Sequence, residues 1–278
     1  MSASFEFTSV KASGKAPRGR VESVAGSLVN RAQIWVQDGW EGSLTPGDSI
    51  KISVYFAAAT GEQALAQIFV GVVSVVRPSG DFLLVESVSP SAYLLLAAAP
   101  VKSWVNVSIG RVMSDLISST SMDSSLVFLS SGFSDKSLHC WNTDGGLVAH
   151  ELTELLAANA PNILMSSAPD GSLVIGSRED QARALHIFAF PSDASSQDLG
   201  VTDVNRVRFA MQPACAHQGV YDPVDGSFLG TIDQAIYVVR PGQAYTEIVL
   251  DPTPDAGVAA YVSSNGGTAP TQANAPEA

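Results

Sequence analysis

Leu44-Thr45-Pro46-Gly47-Asp48-Ser49-Ile50-Lys51-Ile52-Ser53-Val54-Tyr55-Phe56 is the stretch on which the fold turns. Its first half is turn chemistry: proline presets φ, glycine accepts a positive φ, and aspartate bonds nearby backbone. Its second half places Ile50, Ile52, Val54 and Phe56 at every other position, the period-two pattern of a half-buried strand. A turn feeding such a strand predicts antiparallel β structure.

The flanking sequence repeats this arrangement. Ser2 to Val10 alternates through Phe5 and Phe7, and Arg20 to Val29 and Ala32 to Gln37 read as further strands, the latter with Trp35 between Ile34 and Val36. Ala66 to Val76 and Phe82 to Val88 read as a hairpin joined by Arg77-Pro78-Ser79-Gly80-Asp81. Residues 1–99 therefore read as one β unit, a barrel or a sandwich.

Residues 100–190 change character. Ser108 is placed to cap a helix from Ile109 to Ser119, with Val112, Met113, Leu116 and Ile117 on one face. Thr143 or Asp144 is placed to cap a second helix reaching about Ala158, in which Leu147, Val148, Leu152, Leu155 and Leu156 recur at helical spacing before Pro161. Asp170-Gly171 then predicts a tight turn and Ser172 to Gly176 a strand. In 191–250 strands return at Asn205 to Gln212, Gly230 to Arg240 and Tyr245 to Leu250, with turns at Asp225-Gly226 and Pro241-Gly242. Residues 251–278, rich in Ala, Pro, Gly, Ser and Thr, read as a flexible C-terminal tail. The fold class is mainly β with an α+β insert.

Composition bounds the function. With 46% hydrophobic and only 15% charged residues, the chain is globular and its surface thinly charged, as suits a protein that hides much of itself against partners. Its net charge of −12 lacks the basic footprint of a nucleic-acid binder. The basic cluster Lys11, Lys15, Arg18 and Arg20 lies among Gly, Ser and Pro and reads as a mobile, solvated loop. Two distant cysteines, Cys140 and Cys215, make no disulfide framework. The opening MSASFEFTSV is not a signal peptide, and the longest apolar run, Ala92 to Val101, is about half of the roughly 20 residues a membrane helix needs. A soluble protein made in the cytoplasm, with no membrane insertion, is expected.

Catalytic signatures are absent from the sequence: it has no G-x-S-x-G elbow, dinucleotide fingerprint or P-loop. His150-Glu151-Leu152-Thr153-Glu154 looks like a zincin helix but carries Glu154 where the second imidazole is needed. His139-Cys140 and Cys215-Ala216-His217 offer soft ligands without zinc-ligand spacing. The aspartates Asp81, Asp170 and Asp225 sit at predicted turns, where they serve the backbone. Trp35, Trp40, Trp104 and Trp141 read as core or interface anchors, with a carbohydrate-stacking face as the alternative. The residues thus predict no enzyme, no catalytic, cofactor-binding or metal site, and no cofactor.

In their order, the segments resemble the baseplate hub proteins of phage tails and contractile injection systems. The resemblance rests on the Pro46-Gly47-Asp48 turn and its strand, on Phe69-Val70-Gly71-Val72-Val73 leading into Phe82–Val88, and on the helix after Val107-Ser108-Ile109. It continues through Trp141-Asn142-Thr143-Asp144, Asp170-Gly171-Ser172-Leu173, and Val220-Tyr221-Asp222-Pro223 to the strand Tyr245–Leu250, covering roughly residues 40–250. It implies two tail-tube-like β-barrel domains, 1–99 and 191–250, flanking a small α/β module at 100–190. It further implies a homotrimer whose six barrels stack on a hexameric tail tube or distal tail proteins and meet a trimeric tip or spike protein, as a virion structural protein of the tail. Genomic DNA would only pass through an acidic channel. The alternatives are a carbohydrate-binding β-sandwich using Trp35, Trp40 or Trp104, and a distal tail or tube-terminator component.

Overall fold

The computed structural model describes residues 4–37, 44–57, 62–129, 135–184, 188–190, 206–251 and 259. Trp40, residues 191–205 and almost all of the expected C-terminal tail lie outside them.

The chain opens with the hairpin β1 (Phe5–Ser9) and β2 (Ser13–Ala16), then β3 (Arg18–Val24) and β4 (Arg31–Gln37). The turn quoted above leads into β5 (Ser49–Ala57), followed by β6 (Gln63–Ser79) and β7 (Phe82–Val88). Gly47 takes φ +94°, and the Asp48 carboxylate accepts the Thr45 N–H at 2.7 Å. Lys11 closes on the same carboxylate at 2.8 Å. Hydrogen bonds from these partners, that to Lys11 first, hold the Asp48 carboxyl below its ordinary pKa.

The expected 77–81 loop is tighter than its composition suggests. Arg77, Pro78 and Ser79 remain in β6, and Gly80-Asp81 alone turn the chain, with Gly80 at φ +64° and Ser79 opposite Phe82. The first apolar interior lies under these strands, where Phe5, Phe7, Ile34, Ile50, Ile52, Phe69 and Val85 are buried.

The insert follows, with α1 (Pro90–Leu94), β8 (Lys102–Ser108), α2 (Ile109–Ser118), β9 (Val127–Leu129), β10 (Ser137–Thr143) and α3 (Val148–Asn159). β11 (Leu164–Ser167), β12 (Leu173–Gly176) and α4 (Arg178–Ala184) complete it. Ser108 caps α2 as its position predicts, its hydroxyl accepting the Arg111 N–H at 3.2 Å. Helix α3 starts later than expected, at Val148 after Leu147, without a side-chain cap. Thr143 is used by the end of β10, its hydroxyl donating to the Pro100 carbonyl, and Asp144 takes the Gly146 N–H. The helices α1 and α4 escape the periodicity reading because each is short, and β8 because Asn106, at φ +53°, interrupts its alternation. The faces of α2 and α3 form a separate core, with Val112, Met113, Leu116, Leu152 and Leu155 inaccessible to solvent.

The last region holds β13 (Phe188–Ala189), β14 (Arg206–Phe209), β15 (Gly219–Tyr221), β16 (Phe228–Arg240) and β17 (Gln243–Asp251). β16 is the seam of the molecule. One edge pairs with β17; the other pairs first with β15 and then, past an irregularity between Ile232 and Gln234, with β3. A sheet of 12 strands results, in the order β13-β15-β16-β3-β4-β7-β6-β5-β1-β2, with β17 beside β16 and β14 beside β17. Among the described residues this path does not close on itself. β16 sends Tyr237 and Val239 into the first interior and Ile232 and Ala235 into another, shared with Phe209, Val220 and Ile248.

A buried polar joint ties the insert to the sheet. Asn30 donates through Nδ2 to the Ser167 carbonyl at 2.7 Å, and the hydroxyls of Ser89 and Ser167 both donate to the Leu28 carbonyl. Satisfied polar contacts of this kind set orientation, because any other arrangement leaves buried groups unpaired.

Candidate functional site

The chemistry-bearing side chains are dispersed by the fold. His150 and Glu154 form an exposed pair across one turn of α3, Nε2 to Oε1 at 3.1 Å, while Glu151 between them points inward and is buried. Burial, with Asp144 second, raises the Glu151 pKa. Cys140 lies exposed on β10, but Cys215 is buried beyond β14 with its pKa pushed up to about 12 by burial, so its thiol is inert. His217 is also buried, at φ +72°, and its Nε2 accepts the Gly26 N–H at 2.9 Å. Its imidazole is thus a structural acceptor at the β3–β16 seam, a role no spacing announces. Among the described residues no three His, Cys, Asp or Glu side chains converge on a point.

The three described tryptophans, Trp35, Trp104 and Trp141, pack against the protein itself. Trp104 is buried on β8 beside Trp141 of β10, and its indole N–H donates to Asp115 at 2.9 Å. A sugar platform needs an open ring face, so Trp104 does not serve as one. Trp35 is half-buried, with the Arg18 guanidinium 4.4 Å above its ring and its indole N–H on Ser79.

The segment expected to be a mobile basic loop is ordered and mostly strand, with Lys11 alone in the turn between β1 and β2. Lys15 sits in β2, Arg18 and Arg20 in β3, and Lys15 approaches Glu6 at 3.9 Å. Gly19, between the two arginines, is there for close packing: a Cβ on it would stand 2.8 Å from the Phe5 ring and 2.9 Å from the Gln33 carbonyl. Glycine and small polar residues look like a loop in sequence, whereas here they let a buried aromatic lie flat against a strand.

Register then builds a surface from scattered arginines. In β3, Arg18 faces Trp35 and Arg20 faces Gln33; on the next strand Gln33 faces Glu86, which holds Arg77 at 2.9 Å. On the other side Arg20 faces Val238, which faces Tyr245, and Glu247 beside it binds both Arg206 and Arg208. With Arg31 and Arg240, seven of the ten arginines in the chain lie on this one outward face, beside Glu22, Glu86 and Glu247. At its centre Arg18, Arg20, Gln33, Trp35 and Arg240 rim a depression of about 160 Å³, below the roughly 300–1,000 Å³ of ordinary ligand clefts.

Apolar side chains are also left in solvent. On the insert Val101 is 80% and Val105 59% exposed, with Leu96 and Leu147 exposed as well, and along the edge strand β9 Phe128 is 57% exposed. Among the described residues β9 pairs only with β12, which leaves its other edge open beside these apolar groups. No helix among the described residues is long and apolar enough to cross a membrane.

No protein-family profile matches the chain, and no curated protein matches it in sequence. Its fold, however, is found in solved structures. A tail protein from Neisseria meningitidis MC58 superposes with a TM-score of 0.62 at 10% identity, covering 93% of this chain and 99% of that one. The 43 kDa tail protein of prophage MuSo2 from Shewanella oneidensis gives 0.62 at 11% identity, covering 91% and 98%. An E. coli component of the type VI secretion system, itself described as structurally similar to the T4 bacteriophage tail proteins gp27 and gp5, gives 0.56 at 8% identity over 90% of this chain and 77% of that one. The chain therefore has the mainly β fold of phage tail and baseplate hub-like proteins, the family its sequence resembles.

Proposed function

We propose that this chain is a structural protein of a tail-like injection apparatus, acting through interfaces and without turnover. The observation that carries the reading is the end-to-end likeness to tail proteins, 93% of this chain on 99% of the Neisseria protein.

Within that role the chain is a hub or adaptor. Two tail-tube-like β-barrel units, 1–99 and 191–250, flank the α/β module at 100–190, and three chains present six such units. A homotrimer of this kind seats on the hexameric tail tube and meets a trimeric tip or spike protein, placing the chain in the virion tail. The separate apolar interiors at the two ends of β16 support two units, and the pairing of β16 with β3 joins them in one sheet. The net charge of −12 suits a channel along which DNA slides without binding. The test is the native mass in solution: a species near three times 29.0 kDa is expected, and a monomer that persists at high protein concentration overturns the trimer.

A further inference from the structure

We propose that the arginine-rich face of the sheet is the docking surface for a second copy of this chain, which presents an acidic surface to it. The argument begins with how charge is partitioned. Seven arginines and three glutamates give the face a charge of +4, while the other eight basic and 24 acidic side chains leave the rest of the chain at −16. Chance scatter of so few basic residues on an acidic protein does not gather them on one side of one sheet.

The face is also incompletely neutralised. Arg20, Arg77, Arg206 and Arg208 have glutamate partners, but among the described residues no acidic side chain pairs with Arg18 or Arg240. These two rim the same depression, where the Arg18 guanidinium stacks on the Trp35 ring. Arginine and tryptophan around a shallow recess are the residue types that anchor protein interfaces, and the fork of a guanidinium suits a carboxylate.

Charge further selects the geometry. Two such faces would repel each other, so a symmetric face-to-face dimer is disfavoured. A contact between this face and the acidic remainder of the next copy is attractive, and such a head-to-tail contact closes into a ring when the rotation permits. The inference rests on the assembly role proposed above and names the surface that would carry it.

The test uses the full chain in sedimentation equilibrium, comparing wild type with Arg240→Glu, with Arg18→Glu/Arg240→Glu and with Arg111→Glu on α2 as a control away from the face. Arg240→Glu leaves the Arg18–Trp35 stack intact, so it keeps the test open if the double variant fails to fold by circular dichroism. The expected result is a dissociation constant raised at least about 10-fold by the single change and about 30-fold or more by the double, with no change for Arg111→Glu. Wild-type association should also weaken in roughly 0.5 M salt. A wild type that assembles and variants that assemble equally well would overturn this inference while leaving the tail role standing. A wild type that stays monomeric throughout would overturn both the trimer and this surface. Binding of a single-stranded oligonucleotide by wild type that the double variant loses, with self-association unchanged, would make the face a polyanion site and overturn the proposal.

Discussion

Replacing Gly71 by alanine tests whether the interior of the first β unit is understood. Gly71 lies two residues after Phe69 on β6, so the two positions share a face, and the 2% exposed Phe69 ring folds back across the bare glycine. A Cβ at position 71 would overlap the Phe69 ring atoms and stand 2.7 Å from the Val88 carbonyl oxygen, where contact is ordinarily at about 3.5–4.0 Å. The ring can swing away only by surrendering its packing, and the carbonyl belongs to a sheet backbone that cannot yield freely. Overpacking costs typically about 1–3 kcal/mol, and partial loss of Phe69 burial brings the expected total to about 2–4 kcal/mol. Urea unfolding of the two proteins measures it. Phe69→Ala alone should cost about 3–5 kcal/mol, and the double variant clearly less than the sum, because the ring that the added methyl strikes is gone. A Gly71→Ala midpoint within experimental error of wild type, or strictly additive costs, would refute the close-packing account of the Phe-x-Gly motif.

Three further outcomes are expected. His217 is neutral in the fold because burial, with Arg178 second, holds its pKa at about 4, below the ordinary value of 6.5. The unfolded chain therefore takes up that proton first as pH falls: its contribution is complete above about pH 6.5 and is lost progressively towards pH 4, by about 3 kcal/mol. His217→Asn, which tolerates the positive φ, should flatten the pH dependence of the urea midpoint in that window, and an unchanged slope would count against the burial argument. Asn30→Ala removes the donor to the Ser167 carbonyl in the joint between sheet and insert, and a loss of about 1–3 kcal/mol with faster proteolysis near residues 24–30 is expected. Asp115 is held below its ordinary pKa by hydrogen bonds from Lys102 first and Trp104 second, so its stabilisation is present at neutral pH and lost as pH falls below the usual carboxylate range. Asp115→Asn should cost about 1 kcal/mol at pH 7, a figure kept small by the partial exposure of the pairs, and progressively less in acid.

What the sequence determined by itself was local. Period-two alternation marked β1 and β5, and turn residues marked the hairpins at Asp170-Gly171, Asp225-Gly226 and Pro241-Gly242. Ser108 fixed the start of α2, because a cap, a turn or an alternation is decided by neighbours within a few positions. The order of these segments was enough to point to the tail-protein fold. Only the tertiary structure decided which strands pair and what their outer faces accumulate. Gln234 bonds Glu22 across 212 positions of chain, a contact that depends on loop closure and on the burial of both interiors rather than on any local preference. The arginine face exists for the same reason: Arg18, Arg77, Arg206 and Arg240 are remote in sequence and become one surface when register sets their strands side by side.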